Sequence, residues 1–138
     1  MIPVYILDAC ALIAYLNDEE GADVVGNILQ KMTEKSCVLL MHRLNLLEVY
    51  YCIYREHGKA YAEEMLADVN NSGIQIIDTI TEVVFSEAGR MKATYRMSLA
   101  DAILLAQSIE SNACLLSGDH HELDVVERSE SITFRWIR

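Results

Sequence analysis

Short apolar runs alternate with helix-patterned stretches along the whole chain, and this alternation restricts the fold more than any other feature. Four of the five runs are nearly continuous in apolar residues, which is typical of parallel strands buried on both faces of a sheet. The fifth run alternates apolar with polar residues, as an edge strand with one wet face does. The predicted strands are Val4–Leu7, Cys37–His42, Ile74–Ile77, Ala113–Leu116 and Ile132–Ile137.

Between the strands, apolar residues recur every three or four positions, which is the spacing of an amphipathic helix. The predicted helices are Glu20–Thr33, Leu44–Glu56, Lys59–Val69, Glu82–Tyr95 and Ser98–Ser111. Strands that alternate with helices predict an α/β protein with three layers, α/β/α, around a mostly parallel five-stranded sheet. With 138 residues and no Pro/Gly-rich linker, the chain is expected to form a single domain over residues 1–138.

The chain is strongly acidic, and this restricts how it can contact nucleic acid. It has 11 basic and 21 acidic residues, which gives a formal net charge of −10. A surface of this charge repels nucleic acid, because phosphates are normally bound by clustered Lys and Arg. If the protein acts on nucleic acid, a divalent metal ion or a basic partner protein must neutralise part of that charge.

Apolar runs and cysteines predict a cytoplasmic protein without membrane segments. The longest uninterrupted apolar run, Ala9–Leu16, has eight residues, far fewer than the roughly 18 needed to span a bilayer. The first residues carry no Lys or Arg and do not resemble a signal peptide. The four cysteines contain no Cys-x-x-Cys pair, so we interpret them as small apolar residues in a reducing compartment.

Carboxylates follow two of the predicted strands, at the edge of the sheet where α/β proteins bind ligands. Asp8 comes directly after the first strand and Asp119 closely follows the fourth. Each has an ordinary structural alternative, a helix N-cap for Asp8 and a turn or helix cap for Asp119. The neighbouring His120 and His121 are predicted to be exposed loop residues, because adjacent side chains usually point apart.

Two further carboxylates lie on predicted helices. Glu48 falls within the apolar stripe of Leu44–Glu56, where a charge is costly unless it is paired or binds metal. Its structural alternative is an ion pair with Arg43 or Arg55. Asp101 lies three residues after Ser98, a capping-box pattern that is compatible with a place in a site at the same helix end.

Together these four carboxylates are expected to converge at one end of the sheet. At about 5 Å from one another they would repel by several kcal/mol at an effective dielectric constant near 20, so they require a cation or protons. An all-oxygen cluster suits Mg²⁺ or Mn²⁺, which bind phosphate oxygens and activate water for phosphodiester hydrolysis. We therefore predict Asp8 and Asp101 as primary metal ligands, with Glu48 and Asp119 completing the site and orienting the attacking water.

Four segments, in their order and spacing, resemble the PIN-domain family and, within it, the VapC-type toxins of bacterial and archaeal toxin–antitoxin pairs. They cover nearly the full chain and read Leu-Asp-Ala-Cys-Ala-Leu-Ile-Ala-Tyr-Leu, Leu-Asn-Leu-Leu-Glu-Val, Ser-Leu-Ala-Asp-Ala and Leu-Leu-Ser-Gly-Asp-His-His-Glu-Leu.

The resemblance implies that the family's acidic tetrad falls on Asp8, Glu48, Asp101 and Asp119. It also implies an Mg²⁺- or Mn²⁺-dependent endoribonuclease that a cognate antitoxin protein holds inactive and that is usually a homodimer. One position departs from the family, which commonly has Thr or Ser where this chain has Ala9. The missing hydroxyl predicts lower activity unless Cys10 or Ser117 substitutes for it.

Predicted contacts to substrate and partners complete this hypothesis. Arg43 and Arg96 are expected to bind the RNA backbone, with Ser117 at the same site, and an Arg or Lys of the antitoxin is expected to enter the acidic pocket. Three tyrosines form a candidate surface for a homodimer and for the antitoxin, although they could simply cover the sheet. They are Tyr50, Tyr51 and Tyr54.

Other classes of protein fit the sequence less well. A receiver domain needs a Lys after its last strand, and a haloacid-dehalogenase-type phosphatase needs an Asp at the position of Cys10. The scattered glycines form no phosphate-binding loop. A catalytically silent PIN-like interaction protein, which Ala9 favours, and a nuclease that processes RNA or cleaves DNA outside a toxin–antitoxin pair both stay open.

Overall fold

A computed structural model describes all residues of the chain, 1–138. The strands are β1 (Val4–Leu7), β2 (Val38–His42), β3 (Gln75–Ile77), β4 (Cys114–Ser117) and β5 (Phe134–Trp136). The helices are α1 (Ala9–Leu16), α2 (Ala22–Thr33), α3 (Arg43–His57), α4 (Lys59–Asn70), α5 (Glu82–Thr94), α6 (Leu99–Ser111) and α7 (His120–Ser129). Each predicted strand is confirmed to within two residues at either end. None of the seven helices is long and apolar enough to cross a membrane.

The five strands form one sheet in the order β3-β2-β1-β4-β5. Every neighbouring pair is parallel, so the predicted sheet is confirmed and β5 is an edge strand as expected. The chain builds outward from β1 to β2 and β3, and later fills the other side with β4 and β5. A parallel sheet binds ligands beyond its carboxyl ends where this direction reverses, which here is between β1 and β4.

Helices cover both faces of the sheet, which confirms the three layers. Successive strand residues point to opposite faces, so Leu7 and Leu116 pack with α1 to α4. Ile6 and Leu115 pack with α5 to α7 on the other face. All four of these side chains are fully buried, and the rigid sheet fixes the positions of the residues that follow β1 and β4.

The prediction of a loop at His120 and His121 is wrong, because both residues belong to the first turn of α7. Their side chains are exposed as expected. Only Leu123 and Val126 of this helix are buried, so its apolar stripe is too short to stand out among the charged residues around it. The His120 ring stacks on Trp136 at a centroid distance of 3.8 Å, which fixes the start of α7 against β5.

Candidate metal centre

Asp8 lies at the carboxyl end of β1 and is almost completely buried. Its Oδ1 accepts a 2.6 Å hydrogen bond from the backbone N–H of Ala11, so it is the N-cap of α1. The Ser117 side chain also lies near the Asp8 carboxylate and lowers its pKa. The capping alternative is thus realised, and it does not exclude a role in the site because Asp8 also lines the cavity described below.

Glu48 is half-buried on α3 and has no cationic partner. Neither Arg43 nor Arg55 forms an ion pair with it, and Arg55 instead lies over the ring of Tyr51 at 5.5 Å. The Glu48 carboxylate accepts a 3.5 Å hydrogen bond from Asn45 Nδ2. Asn45 is fully buried and also donates to the carbonyl of Ala100 at 3.3 Å, so it ties Glu48 to the beginning of α6.

Asp101 and Asp119 lie at the amino-terminal ends of α6 and α7. Ser98 caps α6 by accepting a 3.1 Å hydrogen bond from the Asp101 N–H, and the Asp101 carboxylate lines the cavity. Asp119 is the N-cap residue of α7, but its carboxylate makes no capping bond. Its own N–H donates to Ser117 Oγ at 3.1 Å.

The four predicted carboxylates line a single cavity of about 270 Å³, together with Ala9, Cys10, Ser98 and Glu122. Glu122 is the site residue that sequence reasoning missed. It lies on the first turn of α7, and single oxygens of Asp101, Asp119 and Glu122 come within 4.8 Å of one another. The capping-box spacing from Asp119 to Glu122 is the sequence signal for this arrangement.

Burial makes this cluster hold protons when no cation is present. Desolvation raises the pKa of Asp8 to about 7, although hydrogen bonds from Ser117 and Ala11 oppose the shift. Desolvation, followed by a hydrogen bond shared with Glu122, raises the pKa of Asp101 to about 7. The pKa of Glu48 is raised mainly by burial as well.

The donor set fits a hard divalent cation. Five carboxylates and one Ser hydroxyl line the cavity, and no Lys, Arg or His is among the lining residues. Burial and the nearby Asp8 raise the pKa of the Cys10 thiol, which keeps it protonated and a poor ligand. Oxygen ligands of this kind favour Mg²⁺ or Mn²⁺ over softer metals.

The residues predicted to bind substrate lie in different places. Ser117 is fully buried at the end of β4 and lies beside Asp8, where its hydroxyl could take the place of the one that Ala9 lacks. Arg43 is exposed and lines a separate cavity between α3, α4 and β3. Arg96 is exposed just before α6 and does not line the acidic cavity. The roles of these residues stay predictions.

Comparison with known proteins identifies the fold. No curated protein sequence matches the chain. VapBC2 from Rickettsia felis, solved with a DNA fragment from its promoter, is similar with a TM-score of 0.75 and 16% identity over 96% of this chain and 98% of that one. DNA-bound VapBC from Salmonella typhimurium gives a TM-score of 0.73 and 12% identity over 100% of both chains.

VapC20 from Mycobacterium tuberculosis, a toxin that cleaves the sarcin-ricin loop, gives a TM-score of 0.63 and 16% identity over 84% of this chain and 91% of its own. Identities this low establish a shared fold and no more. The family model of the PIN domain, by contrast, matches residues 5–128, a range that includes all five carboxylates of the cavity. This chain belongs to the PIN domain family.

Proposed function

We propose that this protein is a metal-dependent endoribonuclease that acts as the toxin of a type II toxin–antitoxin pair. The observation that carries the proposal is the convergence of five carboxylates in one cavity whose lining contains no cationic side chain. Membership of the PIN family supports nuclease activity. The structural likeness to VapBC proteins, and the RNA-cleaving activity of VapC20, support RNA as the substrate.

Asp8 and Asp101 are the primary ligands of Mg²⁺ or Mn²⁺ in this proposal, and Glu48, Asp119 and Glu122 complete the acidic set. A bound divalent ion supplies phosphate binding and a lowered pKa for water. Carboxylates that held such an ion would no longer repel the phosphates of the substrate. This removes the conflict between the chain's net charge of −10 and a nucleic-acid substrate.

The protein's own residues hold the carboxylates in fixed directions. Asp8 is held by the Ala11 amide, and Glu48 is held by Asn45. Fixed carboxylates orient an attacking water at lower entropic cost than mobile ones. In this proposal Glu48 and Asp119 orient the water, and Arg43, Arg96 and Ser117 contact the RNA.

Partners form part of the proposal. The neighbouring VapBC structures support a cognate antitoxin, and a basic side chain of that protein is expected to enter the acidic cavity. Tyr51 and Tyr54 are 43% and 45% exposed, so they leave an aromatic surface for a homodimer or antitoxin. Tyr50 is half-buried and donates to Glu63 at 2.9 Å. We place the protein, as one domain over residues 1–138, in the cytoplasm.

RNA cleavage tests the proposed function. Wild-type protein should cleave single-stranded RNA with Mg²⁺ or Mn²⁺, stop when EDTA is added, and recover when the metal is restored. The double variant Asp8→Asn, Asp101→Asn should lose at least about 100-fold in rate, because it removes both primary ligands. Its control is Asp23→Asn, Asp68→Asn, which makes the same charge change at two exposed residues. Undiminished cleavage by the Asp8, Asp101 variant contradicts the proposal.

A further inference from the structure

A cationic side chain that the sequence analysis did not single out lies beside the acidic cavity. Arg138 follows β5 by two residues, and its Nη2 donates to Cys10 Sγ at 3.4 Å. Its Nη1 donates to the Glu20 carbonyl at 3.1 Å and to Glu19 Oε1 at 3.5 Å. Because Cys10 lines the acidic cavity, these contacts put a positive charge at the cavity rim.

The backbone around Arg138 is held by contacts to the end of β4 and to the start of α7. The Ile137 N–H donates to the Ser117 carbonyl at 3.0 Å, and the His120 Nε2 contacts the backbone oxygen of Arg138 at 2.8 Å. Gly118 leaves room for the arginine, since a Cβ there would lie 3.0 Å from Arg138 Nε. The guanidinium is therefore part of a built structure and is not a freely moving surface cation.

The guanidinium still has capacity for a ligand. Arginine has five N–H donors, and three contacts use Nη1 and Nη2, so two donors including Nε have no protein partner. The side chain is 29% exposed. The contact to Glu19 is long and that carboxylate is 44% exposed, so it competes weakly with a ligand. A planar fork of donors matches the geometry of a phosphate.

We propose that Arg138 binds a backbone phosphate of the RNA, next to the phosphate that enters the acidic cavity. This inference rests on the proposed function and adds to it a substrate-binding residue outside the carboxylate set. Arg138 differs from Arg43 and Arg96 in contacting a residue that lines the cavity. It supplies a fixed positive charge at the point where a polyanion otherwise meets only carboxylates.

Binding of a fluorescein-labelled single-stranded RNA, followed by anisotropy in Mg²⁺ buffer, tests this inference. The measurements use the Asp101→Asn protein, which lacks one of the two proposed primary metal ligands and is expected not to cleave, so that the probe stays intact. Adding Arg138→Gln should weaken binding about tenfold, because a charge-assisted bond to phosphate is lost. It should also make the negative slope of log K against log salt shallower by about 0.7, the value for one phosphate contact on a single strand.

Arg135→Gln is the matched control, because it removes the same charge from an exposed residue of β5 and should change neither affinity nor slope. Equal affinities for the Arg138 and Arg135 variants overturn the inference, and so does a parent protein that binds no RNA. If Arg138→Gln does not fold, the Arg138→Lys variant tests the inference instead, because lysine keeps the positive charge but lacks the planar pair of guanidinium donors. About threefold weaker binding with an unchanged slope supports the inference, and unchanged binding overturns it.

The two proposals fail separately in this design. If Arg138→Gln weakens RNA binding but wild-type protein cleaves no RNA with Mg²⁺ or Mn²⁺, the proposed nuclease is contradicted and the phosphate contact stands. If wild-type protein cleaves RNA but Arg138→Gln does not change RNA binding, the phosphate contact is contradicted and the proposed nuclease stands.

Discussion

At the scale of single residues, burial sets the protonation of the carboxylates, and Asp8 shows this most clearly. Its folded-state pKa of about 7 lies above the ordinary value of 3.8. The folded protein therefore holds this proton more tightly than the unfolded chain does. The stability from this group is fully present below pH 3.8 and is lost as the pH rises through 7.

This linkage predicts the behaviour of an Asp8→Asn variant in EDTA. Asparagine has nearly the same shape and does not ionise, so the variant should gain stability relative to wild type as the pH rises from 4 to 8. The gain is on the order of a few kcal/mol. Thermal melts across this pH range measure it, with exposed Asp68→Asn as the control. A difference in melting temperature that stays constant with pH refutes the prediction.

The sequence predicts most of the acidic site, since each of its four candidate carboxylates lines the same cavity. Glu48 stands out because it interrupts an apolar stripe, and Asp8 because it ends a buried strand. Glu122 and Arg138 were missed for a physical reason. Glu122 depends on a helix whose buried stripe has only two residues, and Arg138 depends on a contact with Cys10 from the other end of the chain.

At the scale of elements, two glycines differ in whether their surroundings tolerate a larger side chain. Gly21 has φ of +97°, and a Cβ there would lie 2.8 Å from the backbone oxygen of Ile137. Gly89 lies inside α5, and a Cβ there would have no neighbour within 4 Å. Gly21 is thus required where the start of α2 packs against the segment that follows β5. Nothing in the packing around Gly89 requires a glycine.

Replacing these glycines by alanine should give opposite results. Gly21→Ala should destabilise the fold by about 2–3 kcal/mol, because alanine meets both a left-handed backbone and a steric clash. Gly89→Ala should stabilise it by about 0.5–1 kcal/mol through helix propensity. Urea unfolding of the two variants and wild type measures both values. If Gly21→Ala is as stable as wild type, then Ile137 does not pack against this turn.

The elements themselves are predicted unequally well from the sequence. The three central strands, β1, β2 and β4, are mostly buried and have few polar residues, so their apolar patterns predict them closely. The start of α7 is harder, because its conformation is fixed by tertiary contacts such as the stack of His120 on Trp136. Contacts of this kind leave no periodic signal in the sequence.

At the scale of the whole molecule, a net charge of −10 together with an acidic cavity predicts a basic partner. Co-expression with the product of the adjacent reading frame should give a stable complex and relieve growth arrest. In that complex Mn²⁺ should no longer raise the melting temperature, because a basic side chain occupies the place of the metal. Purified chain without its partner is the control and should melt higher with Mn²⁺. If no complex forms and growth arrest is not relieved, the antitoxin prediction is wrong, and the proposed nuclease acts without such a partner.

The strand order also determines when the acidic cavity is completed during synthesis. The central strand β1 is completed only when β4 pairs with it, with Ile6 opposite Leu115, so the sheet joins the two ends of the chain. Folds dominated by such distant pairings form late and slowly. Asp8 leaves the ribosome early, whereas Asp119 follows 111 residues later and Glu122 later still. A nascent chain therefore carries an incomplete acidic cavity until β4 and the first turn of α7 have emerged and packed against β1.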